Sequence, residues 1–197
     1  MCVAHLGCCF KVTANYISRC QKAKLAPNSS LLEFLNTFQP DLPPSVCDLS
    51  SSHVTVDAVA VIAQMLTDVS QQAIPISSLR LVQSQFTDLE FSLLIPAVAK
   101  SHTLLSLNLS RNRLTPSMVT TLTQAFACTT LESLILDDTG LGDKGVQTLC
   151  AALPNSRIKW LSLAKCGITA AGVSSLVDYV LRDNNEVGGR VVKNRAR

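Results

Sequence analysis

Charge is scarce in this chain, and so are aromatic rings, histidine and long apolar runs. Charged residues make up 16% of its 197 residues and aromatic ones 5%, where about 25% charge is usual in soluble domains. Hydrophobic residues reach 47%, so the elements are expected to be buried on more than one side, with part of the surface covered by a partner. A net charge of +3 is too small to point to nucleic acid. The longest apolar run, Ala58 to Ala63, falls far short of the ~18 residues of a membrane span. Near the start, His5, Lys11 and Asn15 interrupt the apolar residues, and neither the compact core nor the cleavage site of a secretory signal is recognisable. His5, His53 and His102 lie far apart, and neither GxxxxGK[ST] nor GxSxG occurs. Gly140, Gly142 and Gly145 superficially resemble a phosphate loop, but a repeat register explains them. The chain is therefore expected to be no enzyme, with no catalytic residue, cofactor, metal, membrane or small-molecule substrate.

Cysteine, by contrast, is plentiful, at eight residues. Cys47, Cys128, Cys150 and Cys166 fall inside an apolar periodic pattern, where a free thiol acts as a small hydrophobe. Cys2, Cys8, Cys9 and Cys20 crowd the first twenty residues. A zinc site with His5 and acylation of Cys8-Cys9 are the two special readings of this cluster. Ligand spacing argues against the first, and the lack of a second membrane signal against the second. Thiols packed in a helical cap, in a reducing cytoplasmic compartment, are the expectation.

Periodicity carries most of the information. Leu104, Leu107, Leu109, Asn112 and Leu114 spell LxxLxLxxNxL. The frame recurs as Leu131, Leu134, Leu136, Thr139 and Leu141, and again as Ile158, Leu161, Leu163, Cys166 and Ile168. Upstream stand Ile76, Leu79, Leu81, Ser84 and Phe86, then a weaker copy, Pro44, Cys47, Leu49, Ser52 and Val54. A helical stripe follows each frame, for example Val119, Leu122, Ala125 and Phe126, or Val173, Leu176, Tyr179 and Val180. Thr87, Thr115, Asp143 and Thr169 are expected to cap these helices, and Pro96 to kink or shorten one of them. One strand-turn-helix unit cannot bury its own apolar face, so the units must stack. Asn112 or Cys166 should then turn under its strand and serve backbone groups in the bend.

Units of 27 to 28 residues, each with a helix and with Asn or Cys at the turn, resemble the ribonuclease-inhibitor class of leucine-rich repeats. The implied fold is an α/β leucine-rich-repeat solenoid, a short horseshoe arc of about five units starting near 44, 76, 104, 131 and 158. Repeats would occupy 43–182, after an N-terminal helical cap over 1–42 with helices near 10–23 and 29–38, the second capped by Ser29 or Ser30. The stretches Tyr16-Ile17-Ser18-Arg19-Cys20 and Pro27 to Leu32, leading into Cys47-Asp48-Leu49-Ser50 and Val54-Thr55-Val56, look like the start of leucine-rich-repeat proteins of centrosomes, cilia and flagella, whose repeats serve as a docking head. Residues 183–197 turn polar and then basic. They read as a solvated tail, or else Val191 and Val192 add an edge strand beside the strand at 158–163.

The register also names the outward positions of the sheet. One column is Val46, Ser78, Ser106, Ser133 and Trp160, and the next Asp48, Arg80, Asn108, Ile135 and Ser162. Ser50, Val82, Ser110, Asp137 and Ala164 follow, then Ser51, Gln83, Arg111, Asp138 and Lys165. Candidate protein-binding residues on this concave face are Trp160, Arg80, Asn108, Arg111, Ile135, Asp137, Asp138, Lys159 and Lys165, because exposed Trp and Arg often dominate interfaces. Trp160 could equally fold down onto the tail or a neighbouring column. Asp137-Asp138 has no His or Lys to complete acid–base chemistry. The expected function is a non-catalytic protein-binding scaffold, of cytoskeletal, centrosomal or ciliary kind. Recognition or inhibition in the manner of a ligase adaptor is the alternative. Activators of the small nuclear-transport GTPase share the repeat class, but Arg80 sits on the sheet face, so no role transfers to it.

Overall fold

The computed structural model describes residues 13–18, 20–22, 24–37, 45–67, 76–183 and 191–193. Six short strands form one parallel sheet in chain order: β1 (Ser45–Asp48), β2 (Ile76–Arg80), β3 (Ser106–Asn108), β4 (Ser133–Ile135), β5 (Trp160–Ser162) and β6 (Val191–Lys193). The five copies of the sequence frame supply β1 to β5. β6 is the edge strand foreshadowed by Val191 and Val192. Its residues pair with β5 as Trp160↔Val191, Leu161↔Val192 and Ser162↔Lys193, so this part of the tail extends the sheet.

Strand pairing follows the repeat. Leu79 pairs with Leu107, Leu107 with Leu134, and Leu134 with Leu161, so each leucine meets its own counterpart one unit on. All four are buried, and stacking the same apolar position from unit to unit builds one continuous core. Only the first step departs. Ser45 pairs with Ile76 but Val46 with Ser78, so β2 accommodates one extra residue opposite the longer first unit. Although the strands are short, their ladder runs on: Leu49, Leu81, Leu109 and Leu136 each donate their N–H to the next unit at 2.9 Å.

Beneath the strands the turn residues behave as expected. Asn112 is buried, and its Nδ2 donates to the Leu81 carbonyl at 2.6 Å and the Leu109 carbonyl at 2.9 Å. Its Oδ1 accepts from the N–H groups of Ser84 at 2.8 Å and Gln85 at 3.1 Å. One carboxamide thus serves backbone groups that the bend removes from the ladder and from water. Thr139 and Cys166 do less of the same work, donating to the Leu136 carbonyl at 2.7 and 3.0 Å.

The helices are Ser29–Thr37, Val56–Thr67, Asp88–Lys100, Pro116–Ala125, Gly142–Ala152 and Ala170–Asp183. Residues 13–18 and 20–22 are helical as well, within the first helix expected from sequence. From Val56–Thr67 onward, consecutive helices pack on one another. Four expectations need correction. Ser29 and Ser30 lie inside their helix, and Asn28 caps it, its Oδ1 accepting from Leu31 N–H at 3.0 Å. Pro96 does not shorten its helix, which continues to Lys100; the proline is exposed, so the carbonyl it leaves without a partner turns toward water. Cys128 is exposed, not part of the core, because the helix Pro116–Ala125 has already ended.

The fourth correction concerns Asp143, which caps a different helix from its own. Gly142–Ala152 starts two residues earlier than that cap implies, with Leu141 at its cap position. The Asp143 carboxylate instead accepts from Thr169 N–H at 2.8 Å, Thr169 Oγ1 at 2.6 Å and Gly172 N–H at 3.1 Å. These are donors at the start of the following helix, where a negative charge is favoured. The hydrogen bonds from Thr169, and that from Gly172, hold the carboxyl below the ordinary carboxylate range. Two units earlier Asp88 accepts from Thr115 Oγ1 at 2.6 Å in the same way. Thr115 keeps its expected role, accepting from Met118 N–H at 3.2 Å, and the Glu90 carboxylate accepts from Thr87 N–H at 3.0 Å.

At the N-terminal end Asn28 joins cap to repeats. Its N–H donates to Tyr16 Oη at 2.7 Å and its Nδ2 to the His53 carbonyl at 3.1 Å. Tyr16, Cys20, Leu31 and Leu35 are buried with the repeat core. Burial raises the Tyr16 hydroxyl to about 12, against the opposing hydrogen bond from Asn28.

Candidate functional site

The two outward columns read from sequence are continuous rows across the sheet. Register joins Val46, Ser78, Ser106, Ser133, Trp160 and Val191 in one row, and Asp48, Arg80, Asn108, Ile135, Ser162 and Lys193 in the other. Between them runs the buried row of Cys47, Leu79, Leu107, Leu134 and Leu161. Alternation along a strand therefore points the β1 to β5 members of both outer rows away from the core. Burial, then the neighbouring Asp48 charge, raises the Cys47 thiol to about 12, so it stays a neutral core group.

Small hydroxyl side chains occupy the middle of the first row, so a partner can approach the backbone closely there. Trp160 follows the serines in that row and is half-buried, with β6 paired beside it. Arg80 is engaged by Asp48 on the neighbouring strand at 3.6 Å. Burial pushes the Asp48 carboxyl up, but hydrogen bonds from Ser50 and the Arg80 guanidinium outweigh it and hold it below the ordinary range. Both side chains are about half exposed, where such pairs contribute about 1 kcal/mol or less. Asn108 turns back on its own chain, accepting from Ser110 N–H at 3.0 Å and Ser110 Oγ at 2.7 Å. Ile135 is half-buried between Asn108 and Ser162.

The other expected columns are not on the sheet face. Ser51, Gln83, Arg111, Asp138 and Lys165 all have φ of 56 or 57°. This is left-handed backbone that non-glycine residues enter at a cost of roughly 1–2 kcal/mol. The first four donate their N–H to a carbonyl of the next unit at 2.7 to 3.0 Å, and those bonds hold the turn. Arg111, Asp138 and Lys165 consequently form an exposed rim beside the sheet. Asp137 is occupied structurally: its Oδ1 accepts from Ser162 Oγ at 2.7 Å and Ala164 N–H at 2.8 Å, tying β4 to β5.

On the opposite rim Lys159 Nζ lies 2.7 Å from Glu132 Oε1. The residues just ahead of the strands, Leu105, Glu132 and Lys159, share one register position. Among them Leu105 is a large apolar side chain left 46% exposed. Sequence reasoning missed Leu105 and Glu132, although moving one position back from the first outward column would have found them. Among the described residues, no group of three or more His, Cys, Asp or Glu side chains could hold a metal ion. None of the described helices is long and apolar enough to cross a membrane. Cys2, Cys8, Cys9 and His5 lie outside the described residues.

Comparison with known proteins supports the same architecture. A family model described as "Leucine Rich repeat" matches residues 100–117 and 127–150, which span β3 and β4. None of the curated protein sequences matches the chain. Among solved structures, "Leiomodin-1 Actin-Binding Site 2 (ABS2)" superposes with a TM-score of 0.60 at 16% identity, over 82% of this chain and 92% of that one. At that identity the likeness speaks to fold alone. Register, parallel sheet, helix in every unit and the matched repeats agree: the protein carries leucine-rich repeats and folds as a leucine-rich-repeat solenoid.

Proposed function

We propose that this solenoid, of the ribonuclease-inhibitor class, is a non-catalytic docking module that binds a protein partner through its sheet face and its C-terminal end. The observation that carries the reading is the unbroken row Ser78, Ser106, Ser133 and Trp160, a small-residue floor closed at one side by a large aromatic anchor. Carboxylates around it are engaged: Asp48 with Arg80, Glu132 with Lys159, and Asp137 with Ser162 and Ala164. That leaves no acid–base pair poised for chemistry on this face. The actin-binding title of the structural neighbour favours a cytoskeletal assembly in the cytoplasm, and a centrosomal or ciliary one is the narrowest form of the proposal.

The test is co-sedimentation with actin filaments, together with affinity purification and mass spectrometry, of the wild type and of a Ser106→Arg/Ser133→Arg variant. The double substitution puts two long cations on the floor without touching the core. Cytoskeletal proteins recovered with the wild type should be lost from the variant while its circular dichroism stays the same. Identical recoveries from both proteins would remove the sheet face from the proposal.

A further inference from the structure

We infer that the outward face of the helix Asp88–Lys100 is a two-fold contact between copies of this chain. Leu89 and Leu93 are 58% and 42% exposed, and Pro96 is exposed beside them. Steps of four and three residues place all three on one line along that helix. At the register of Leu89 and Leu93 the three following helices carry Ser117 and Thr121, Lys144 and Thr148, and Ala171 and Ser175. Nor does the stripe depend on where the repeats end. Its helix lies between Val56–Thr67 and Pro116–Ala125 and packs against both, so the solenoid's own stacking is complete there and still leaves the leucines in water.

The surroundings of the stripe are nearly free of charge. Across Val56–Thr67, Asp88–Lys100 and Pro116–Ala125 the ionisable residues are Asp57, Asp88, Glu90 and Lys100, and Glu90 is buried against Thr87. Depletion of charge around an exposed apolar cluster marks the core of a protein interface. The charges that remain sit at the two ends. Asp57 and Asp88 lie in the first turns of adjacent helices. Lys100 closes the stripe in the last turn, and it has no carboxylate partner among the described residues.

A surface with an apolar centre, carboxylates at one end and an amine at the other is complementary to itself when turned about a two-fold axis. With that axis near Leu93, the two Asp88–Lys100 helices run antiparallel. Leu89 of each copy then meets Pro96 of the other, and Lys100 reaches the first turns that hold Asp57 and Asp88. Three helices about 9 Å apart and 13 residues long offer on the order of 500 Å² per copy. Twice that area is at the low end of specific interfaces, so the dimer forms and dissociates with concentration. A bilayer fits less well, because an interfacial helix face is flanked by several lysines or arginines and this one has a single lysine. The sheet face lies on the far side of the core, so both copies keep it free for the docking reading above.

Sedimentation equilibrium of the full chain, from about ten micromolar to about one millimolar, should show a mass rising toward twice the monomer value. Leu89→Ser/Leu93→Thr gives this helix the residue types of Ser117 and Thr121. That variant should stay monomeric throughout, with circular dichroism and melting temperature unchanged. Leu93→Glu should be monomeric as well, and Lys100→Glu should weaken association at least about tenfold. Leu93→Cys, oxidised with copper phenanthroline, should yield a linked dimer well above the wild-type level, whereas Ser175→Cys should not. A wild type that stays monomeric over the whole range, or a dimer indifferent to Leu89→Ser/Leu93→Thr, would overturn the inference. So would binding to phosphatidylcholine vesicles that Leu93→Glu abolishes. The Ser106→Arg/Ser133→Arg variant should dimerise as the wild type does, so failure of the sheet-face reading and failure of this one are told apart.

Discussion

The two ends of this solenoid solve the same problem differently. At each, the described residues hold one repeat with no described repeat beyond it. At the N-terminal end Tyr16, Leu31 and Leu35 are folded into the core, and Asn28 fastens them through bonds to Tyr16 and His53. At the C-terminal end of the described residues β6 continues the sheet, no described helix follows it, and Val173, Val177 and Leu181 are exposed. Among the described residues the sheet thus extends one strand beyond the last helix. Backbone pairing needs only three residues of strand, whereas covering a helix takes another apolar face.

The contrast predicts unequal responses to equivalent deletions. Leu136 is fully buried between units, so Leu136→Ala should destabilise by about 2–5 kcal/mol. Leu181→Ala, at the open end, should leave the denaturation midpoint nearly where it was. Comparable losses at both sites would mean that the end is covered in solution.

Asn28→Ala is the corresponding cut at the capped end. It removes a helix cap and leaves a buried N–H and carbonyl to be reassigned, so a loss of about 1–3 kcal/mol is expected. Protection of amides in 29–37 should fall more than protection near 131–136, as read by hydrogen exchange. A uniform decrease along the chain would show that the cap is not a separable unit.

A smaller effect should appear with pH. Asp143 has its carboxyl lowered by Thr169 and Gly172, so its contribution is present above the unfolded carboxylate value, about 4, and is lost as pH falls through the folded one. Asp143→Asn should therefore flatten the acid limb of the stability profile, with little change in the shape of the curve nearer neutrality. An acid limb as steep in the variant as in the wild type would assign the acid sensitivity to other groups.

The least disruptive comparison uses thiols. The described cysteines are free, with Cys47 buried and its thiol raised to about 12, and Cys128 exposed. Iodoacetamide should label Cys128 in the folded chain and Cys47 only on unfolding, and the melting temperature should not change with dithiothreitol. Rapid labelling of Cys47 in the native state would contradict its place in the first repeat.

Much of this was legible beforehand, and the misses have a common cause. Strand rows, the buried leucines and the role of Asn112 follow from period and residue type alone, since each depends on a position within its own unit. The bonds of Asn28, Asp143 and Glu132 were missed because these partners sit 25 to 29 residues away, in another unit or across the cap junction. The column of Arg111, Asp138 and Lys165 was placed on the sheet face because the outward columns were carried past the point where the backbone turns left-handed.

What the amino-acid sequence determined by itself was the repeating unit: which residues avoid water, and how often they return. Tertiary structure alone decided what meets them. Periodicity marks Val146 and Val173 alike as apolar, yet among the described residues one is buried and the other is 40% exposed, because burial belongs to a pair of surfaces and a repeat specifies only one of them.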